Sequence, residues 1–428
     1  MRITEMHVTP IALGDPPLLN AAGLHAPYCL RTVVELRTDT GLSGLAEVPG
    51  SVAVDQALAT VRDTVVGSDP LNWQRLRAKV AERCAPETSR ARGDKPWDGR
   101  TRVQVFSALD VACLDLQGKA FGVPVANLLG GVVRERVPYA AYLFYKYEGA
   151  GGDCGFGKDS AARGWAAARQ EAALDPDGVV TQAEAMVAEF GFQSIKLKGG
   201  CFEPAQEVAA IKALRRRFGP GVPLRLDPNA VWTVETSIRW GRELEGELEY
   251  LEDPCRTQEG MAAVRRALKT PLATNMCTTS FEDLPGSARL ASEDIILTDH
   301  HFWGGLRSSM ELAAHCRTFG RGVSMHSNNH AGISLAAMTH LGAAMPNLGY
   351  ALDTHYPWQW EEIIVGGRVK FEDGCVVLPP VPGLGVELDR AALARAHGAY
   401  LRIGLKERND EVEMQKRNPG WKFAPTRW

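Results

Sequence analysis

The sequence predicts an α/β protein: an N-terminal α+β capping domain followed by a (β/α) barrel of TIM type, modified, with about seven to eight strands. Three observations carry that reading. Short apolar runs recur through the middle of the chain, each stopping at a polar residue: Lys198, Asp227, Glu252, Asn275, Asp299, His326 and Asp353. Their spacings, from 23 to 29 residues, are each one strand plus one helix, and that unit, repeated with right-handed crossovers, builds a parallel sheet that closes on itself. The 428 residues of the chain also exceed what a barrel uses, roughly 250, so a second domain is expected.

Residues 1–135 lack the repeat and make up the expected cap. Ile3 to Val8 and Thr32 to Leu36 read as strands, the second turned at Thr38-Asp39-Thr40-Gly41 into Gly44 to Val48. Helices are predicted over 53–66, 71–84 and 101–120, the last placing Val105, Ala108, Leu109, Ala112 and Leu116 at core-facing spacing. Between the strands, Leu18 to Pro27 is small and polar enough to read as a mobile loop that closes over a barrel mouth.

Residues 136–365 hold the expected barrel. Its first strand is predicted over Val137 to Tyr145, followed by a glycine-rich loop from Gly149 to Gly157 that fits no phosphate-cradling motif. Thr181-Gln182-Ala183-Glu184 has the form of a capping box. Later helices fit 203–218, 233–246, 259–268, 305–319 and 331–344. Residues 366–428 form a C-terminal segment expected to pack back on the cap. It reads as a hairpin from Gly366–Phe371 to Val376–Leu378, a last helix, and a charged end with Trp421 and Trp428 that is either poorly ordered or an interface.

Composition narrows the function. A net charge of -3 offers no field for nucleic acid. No run approaches the length of about 20 apolar residues that a membrane span needs, and Met1-Arg2-Ile3-Thr4-Glu5 does not resemble a secretory leader. The nine cysteines never form a C-x-x-C pair, which argues against a disulfide framework or a zinc site. The expected setting is the cytoplasm, with a small molecule as partner, neither membrane nor nucleic acid, and a homo-oligomer as the assembly.

Taken singly, a K-x-K is a solvated strand end and an Asp-Pro a turn. Successive strand ends delivering such groups to one mouth are costly without a ligand to satisfy them. Asp227, Glu252 and Asn275 offer only oxygen ligands, which suit a hard cation such as Mg2+. Lys198 is a candidate base, with Lys196 two residues before it on the same strand face to lower its proton affinity by like-charge repulsion. His326 is a second, its tautomer fixed by Asp299 one strand earlier. Two bases and a divalent cation fit removal of a proton α to a carboxylate.

The chain resembles the glucarate dehydratase branch of the enolase superfamily nearly end to end. The runs that carry the resemblance are Asn20 to Pro27, Lys196-Leu197-Lys198-Gly199-Gly200, Leu226-Asp227-Pro228-Asn229, Glu252-Asp253-Pro254-Cys255, Ala273-Thr274-Asn275-Met276, His301-Phe302-Trp303, His326-Ser327-Asn328-Asn329-His330 and Asp353-Thr354-His355. The resemblance implies a mandelate racemase-like fold, Lys198 and His326 as acid/base residues, and Asp299 as the partner of His326. It also implies Asp227, Glu252 and Asn275 as the Mg2+ site, and Lys196 and Asn229 as enolate stabilisers. His25, Thr101, Tyr142, Asn328, His355 and Arg408, with Asp353 from the ladder, form the implied substrate-binding set. The implied activity is dehydration of an acid sugar, D-glucarate first. The alternatives are dehydration or epimerisation of another aldarate such as galactarate or idarate, or a low-activity relative.

Overall fold

The computed structural model describes residues 1–84 and 100–428. The chain opens with β1 (Ile3–Gly14), a small hairpin of β2 (Leu19–Asn20) and β3 (Gly23–Leu24), then β4 (Tyr28–Thr38) and β5 (Ser43–Pro49). β1, β4 and β5 form an antiparallel sheet with β4 in the middle. Helices Val52–Val65, Trp73–Arg83 and Thr101–Phe121 follow. Val54, Leu58, Leu76, Leu109 and Leu116 of these helices join Val33, Val34 and Leu45 of the sheet in one core.

Residues 18–26 depart from the loop predicted for them. They are buried throughout and carry the β2–β3 hairpin. Leu19 N–H donates to Tyr145 O of the barrel at 2.7 Å, and Ala22 N–H to Asn20 Oδ1 at 2.7 Å. Their polarity therefore serves docking onto the barrel instead of solvation.

Beyond β6 (Arg136–Pro138) come β7 (Ala141–Phe144), β8 (Ile195–Lys198), β9 (Leu224–Asp227), β10 (Tyr250–Glu252), β11 (Leu272–Thr274), β12 (Ile295–Thr298) and β13 (Gly322–Met325). Among the described residues β7 to β13 form one parallel sheet of seven strands in sequential order, curled toward a barrel. The gap between β13 and β7 is spanned by residues 348–353. Leu348 bridges Val323, Leu352 bridges Tyr139, and Asp353 N–H donates to Met325 O at 3.0 Å. The predicted count of seven to eight strands is thus seven ladder strands plus one irregular closing segment.

Alternation along each strand sorts the side chains. Leu197, Leu226, Leu251, Ile296 and Met325 face outward into the main core, while Tyr250, Ala273, Ile295 and Leu297 form a separate cluster inside. Helices Pro176–Phe190, Pro204–Phe218, Val234–Glu243, Gln258–Ala267, Leu306–Thr318 and Gly332–Ala344 cover the outer face, and Leu284–Leu290, outside every predicted helix, adds about two turns more.

Three other expectations are corrected. The helix before β8 starts at Pro176, capped by Asp175 Oδ1 accepting Gly178 N–H at 2.8 Å, so Thr181 lies inside it and bonds back to Asp177 O at 3.0 Å. Asp-Pro at the cap and first position outcompetes the Thr-x-x-Glu box. The predicted strand Val137–Tyr145 is two: β6 leaves the barrel to pair antiparallel with β14 (Cys375–Val377). β14 thereby has a distant partner in place of the predicted hairpin arm at Gly366–Phe371.

The helix Arg390–Ile403 lies on the cap, where Tyr400 packs with Ala12 and Leu30 and Arg390 Nη1 donates to Glu35 at 2.7 Å. The chain then returns to the barrel mouth. Arg427 donates to Ala21 O at 2.7 Å and to Gly200 O at 3.1 Å, and Thr233 N–H donates to Trp428 O at 2.5 Å. The charged end is therefore bound against the barrel and the hairpin. No helix among the described residues is long and apolar enough to cross a membrane.

Gly23 marks the tightest point of this closure. Its φ is +135°, and a Cβ there would lie 2.2 Å from Asp410 O, whereas at Gly41 (φ +80°) nothing lies within 4 Å. Gly41→Ala should cost backbone strain alone, on the order of 1 kcal/mol. Gly23→Ala should cost about 1–3 kcal/mol beyond that through overpacking. Urea unfolding of both variants checks the difference, and equal costs would show that the hairpin does not seat against Asp410.

Candidate active site

The inward residues of β8 to β13 fall into two layers. In the lower layer Lys196 Nζ donates to Glu252 Oε2 at 2.5 Å and Asp353 Oδ2 at 2.6 Å, with Asp227 Oδ2 at 3.7 Å and the Tyr142 ring centroid at 4.8 Å. Beneath it Arg225 is paired with Glu249 at 2.7 Å and reaches Asp353 Oδ1 at 3.5 Å. Burial opposes the charge on Lys196, but Asp353 and Glu252 outweigh it and hold the ammonium well above its usual range. The repulsion expected of Lys196 toward Lys198 is thus offset by the carboxylates that surround Lys196.

In the upper layer Lys198 stands directly across from Asp227 in the β8–β9 register and donates to its Oδ2 at 2.7 Å. Asn229 Nδ2 donates to Asp227 Oδ1 at 2.7 Å. Burial alone would raise the Asp227 carboxyl, yet Lys198 and Lys196 bring it down to about 2. Glu252 goes the other way, raised well above the usual carboxylate range by burial and by the charge of Asp227. Asn275 Nδ2 donates to Glu252 Oε1. Asp253, which sequence reasoning passed over, anchors this loop: its carboxylate accepts Asn275 N–H at 2.8 Å and Met276 N–H at 3.1 Å, and burial followed by Asp227 pushes it up to about 7.

His326 follows β13, and its Nδ1 lies 2.9 Å from Asp299 Oδ2. A carboxylate only accepts, so Nδ1 carries a proton. From the cap and the C-terminal segment, His25 Nδ1 meets Asp15 Oδ2 at 2.8 Å and its Nε2 meets Arg408 Nη2 at 2.8 Å. Arg408 is forked onto Asp410 at 2.8 and 2.6 Å, and Asn20 donates to the same carboxylate at 2.6 Å.

Lys198, Asn229, Asn275, His326, Asn328, His355, Tyr142, His25 and Arg408 all line one small cavity of about 30 Å3. Asn20, Phe144 and Ser327, not predicted as site residues, complete its wall. Thr101 instead lines an adjoining cavity of about 340 Å3 that shares His25, Asn328 and Arg408 with the first. Asp353 turns toward Lys196 and Arg225, and like Asp227, Glu252 and Lys196 it is not among the residues that line this cavity.

The chain matches the enolase C-terminal domain-like family over residues 178–392, and the N-terminal domain family of mandelate racemase and muconate lactonizing enzyme over 25–130. A probable glucarate dehydratase of Streptomyces coelicolor is 45% identical, across 98% of this chain and 97% of that protein. The crystal structure of an enolase from Thermobispora bispora, complexed with magnesium and formate, is 50% identical, covers 99% of each chain and superposes with a TM-score of 0.91. One from Pseudomonas fluorescens, with bound magnesium, potassium and tartrate, is 44% identical, covers 100% of this chain and 99% of its own, and has a TM-score of 0.91.

The chain belongs to the enolase superfamily. Within that superfamily it falls in the glucarate dehydratase branch, an enzyme of the hydro-lyase class from the acid-sugar dehydratase family. The donor set of this superfamily member suits a divalent cation on charge alone. Asp227, Glu252 and Asp353 bring three carboxylates, Lys196 offsets one, and Arg225 is already matched by Glu249. Lys198 pairs with Asp227 in turn, which leaves one carboxylate of the three without a cation, and Glu252, raised by burial and by Asp227, is the group that carries this excess. Asn229 Oδ1, also buried, has no hydrogen-bond partner among the described residues.

Among the described residues Lys196 is the single cation in contact with both Glu252 and Asp353, so its removal leaves them mutually repelling in a buried site. Lys196→Met should lower the unfolding free energy by about 3–5 kcal/mol, and Lys198→Met, which takes one partner from one carboxylate, should cost less. Chemical denaturation of the two variants side by side checks the order, and a larger loss in Lys198→Met would contradict this charge balance.

Proposed function

We propose that this enzyme is a Mg2+-dependent dehydratase whose preferred substrate is D-glucarate, converted to 5-dehydro-4-deoxy-D-glucarate. The observation that supports it most is that Lys198 and His326 line the same cavity from strands that are not neighbours, with Asp299 behind His326, Asp227 paired with Lys198, and Asn275 in the same wall and bonded to Glu252. The reaction removes the proton at C5 and the hydroxyl at C4. His326 Nε2 takes the C5 proton, and the Asn229 amide faces the charge that spreads onto the adjoining carboxylate, with the ammonium of Lys196 in the layer behind it. The protonated His326, held by Asp299, then returns that proton to the departing C4 hydroxyl, which leaves as water, and the enol so formed tautomerises to the ketone. Lys198 serves the epimeric proton at C5. A magnesium ion held by Asp227, Glu252 and Asn275 would supply positive charge to the substrate carboxylate and so acidify the carbon beside it.

Arg408 and His25, on the cap side of the cavity, are placed for the hydroxyls and far carboxylate of a six-carbon diacid, with Asn328, His355 and Thr101 along the way. Binding of tartrate, a shorter hydroxydicarboxylate, by the Pseudomonas fluorescens relative supports that substrate class. The nine free cysteines fit a reducing compartment, which supports a cytoplasmic setting.

Turnover across a panel of aldarates, with and without Mg2+, tests the assignment: D-glucarate should lead the panel and chelator should abolish the reaction. Faster turnover of galactarate or idarate would move the substrate and keep the chemistry. Asp227→Ala should lose both Mg2+ binding by calorimetry and turnover, and full activity of that variant in chelator would sink the metal assignment.

Each base should also exchange one epimeric C5 proton with solvent deuterium, so that Lys198→Ala and His326→Asn abolish opposite exchanges. Asp299→Asn should lower turnover on the order of a hundredfold or more by misplacing the ring proton of His326. Equal loss of both exchanges in both single variants would rule out the two-base reading.

A further inference from the structure

A continuous hydrogen-bonded chain runs from the capping sheet to His326. Glu47 of β5 is buried and accepts Arg31 Nε of β4 at 2.7 Å. Arg31 Nη2 reaches His301 Nε2 at 3.1 Å, on the short helix His300–Trp303 that follows β12. On its other side His301 Nδ1 meets Asp299 Oδ1 at 2.9 Å, while Asp299 Oδ2 holds His326. One carboxylate thus stands between two imidazoles.

The partners dictate where the proton of His301 sits. Asp299 can only accept and Arg31 can only donate. Nδ1 must therefore carry hydrogen toward Asp299, and Nε2 must offer its lone pair to the guanidinium. One contact opposes this arrangement: Glu47 O, an acceptor, also lies 3.1 Å from Nε2. Ser334 Oγ, 3.0 Å from Nε2 and 3.1 Å from that carbonyl, gives its single proton to the carbonyl, and Arg31 Nη2, with two hydrogens, donates to Nε2 and, at 3.2 Å, to the serine oxygen. Protonating both nitrogens would instead set an imidazolium 3.1 Å from Arg31. Burial, and after it Arg31, drive His301 well below the usual imidazole range, in keeping with a neutral ring. Asp299, His300 and His301 place donor atoms within 4.8 Å of one another, but both oxygens of Asp299 already serve ring nitrogens, so the cluster is a hydrogen-bonded unit and not a cation site.

We infer that His301 is a positioning residue for His326: gripped from the capping domain by Arg31, it donates its Nδ1 proton to Asp299 Oδ1 and thereby fixes the carboxylate whose Oδ2 orients the catalytic imidazole. Its consequence is selective. Lys198 answers to Asp227 within the barrel, so the lysine half of the chemistry does not pass through His301, whereas the histidine half does. The capping sheet must be seated for Arg31 to reach His301, so docking of the cap sets His326 and leaves Lys198 alone. The consequence for turnover rests on the two-base reading proposed above, while the proton placement on His301 stands independently of it.

Two measurements test it. In enzyme with nitrogen-15 in its histidine rings, assigned by loss of the signal in His301→Asn, His301 should appear as a neutral ring protonated on Nδ1. Protonation on Nε2, or on both nitrogens, would overturn the inference. In the second, His301→Leu should slow the C5 exchange served by His326 by roughly tenfold to a hundredfold, with kcat falling more than KM changes, and leave the exchange served by Lys198 near the parent rate. His301→Asn, whose amide can still donate to Asp299, should recover most of the loss. Equal loss of both exchanges in His301→Leu, or no recovery in a folded His301→Asn, would reduce His301 to a packing residue. Should the parent enzyme exchange neither proton, the functional reading falls, and the ring-nitrogen signals still decide His301.

Discussion

Burying Asp227, Glu252 and Asp353 within reach of one ammonium is costly, because each carboxylate loses water and gains a like-charged neighbour. Lys196 can face all three only because β8, β9, β10 and the 348–353 segment hold fixed positions around the same interior. The register that puts Lys198 across from Asp227 also puts Lys196 across from a second cation, Arg225, so the carboxylates that offset these two, Glu249, Glu252 and Asp353, must arrive from beyond β8 and β9. The outer helices exist, in this view, to hold that ladder closed: Leu197, Leu226 and Leu251 are fully buried against them, and a strand that slipped by one residue would turn its charged face into that apolar layer.

This is also why so much of the site was legible. A parallel strand exposes its inward residues at a spacing of two, and a strand-helix unit repeats at a nearly constant length, so the residue ending each apolar run declares both its face and its place around the ring. Depth is what the pattern does not declare. Asp353 ends its run as Asp227 and Glu252 do, yet the 348–353 segment has only isolated bridges, to Tyr139 just before β7 and to Val323 of β13. Its carboxylate reaches both Lys196 and Arg225, a depth that the end of an apolar run does not declare. The split of Val137–Tyr145 was hidden for a related reason: an apolar run states that a strand is buried and is silent on which distant strand it pairs with.

Small polar segments were misread for a different reason. Residues 18–26 carry Asn20, Gly23 and His25, which in isolation are the marks of a solvated loop. Their partners lie nearly the whole chain away, in Asp410, Arg408 and Arg427, and no local signal announces them. The same holds for His301: its motif was visible, but its role depends on Arg31 and Glu47 arriving from a different sheet. Contacts of this range are set by the completed fold, so they are the last property of a site that a single sequence yields.

The two proposed bases consequently differ in what holds them. Lys198 is placed by adjacent strands of one ladder, and its partner Asp227 lies in the next strand. His326 is placed by Asp299, and Asp299 is held in turn by a ring whose far side is clasped by the cap. Residues that contact the distal part of the cavity, His25 and Arg408, belong to the cap and to the C-terminal segment that closes over it. The distal end of the cavity and the orientation of His326 are therefore set by the same interface, whereas Lys198 is set by the barrel alone. Divergence in the cap would on this arrangement retune substrate choice and the histidine half of the chemistry together, while the lysine half, fixed within the ladder, would change only if the barrel itself did.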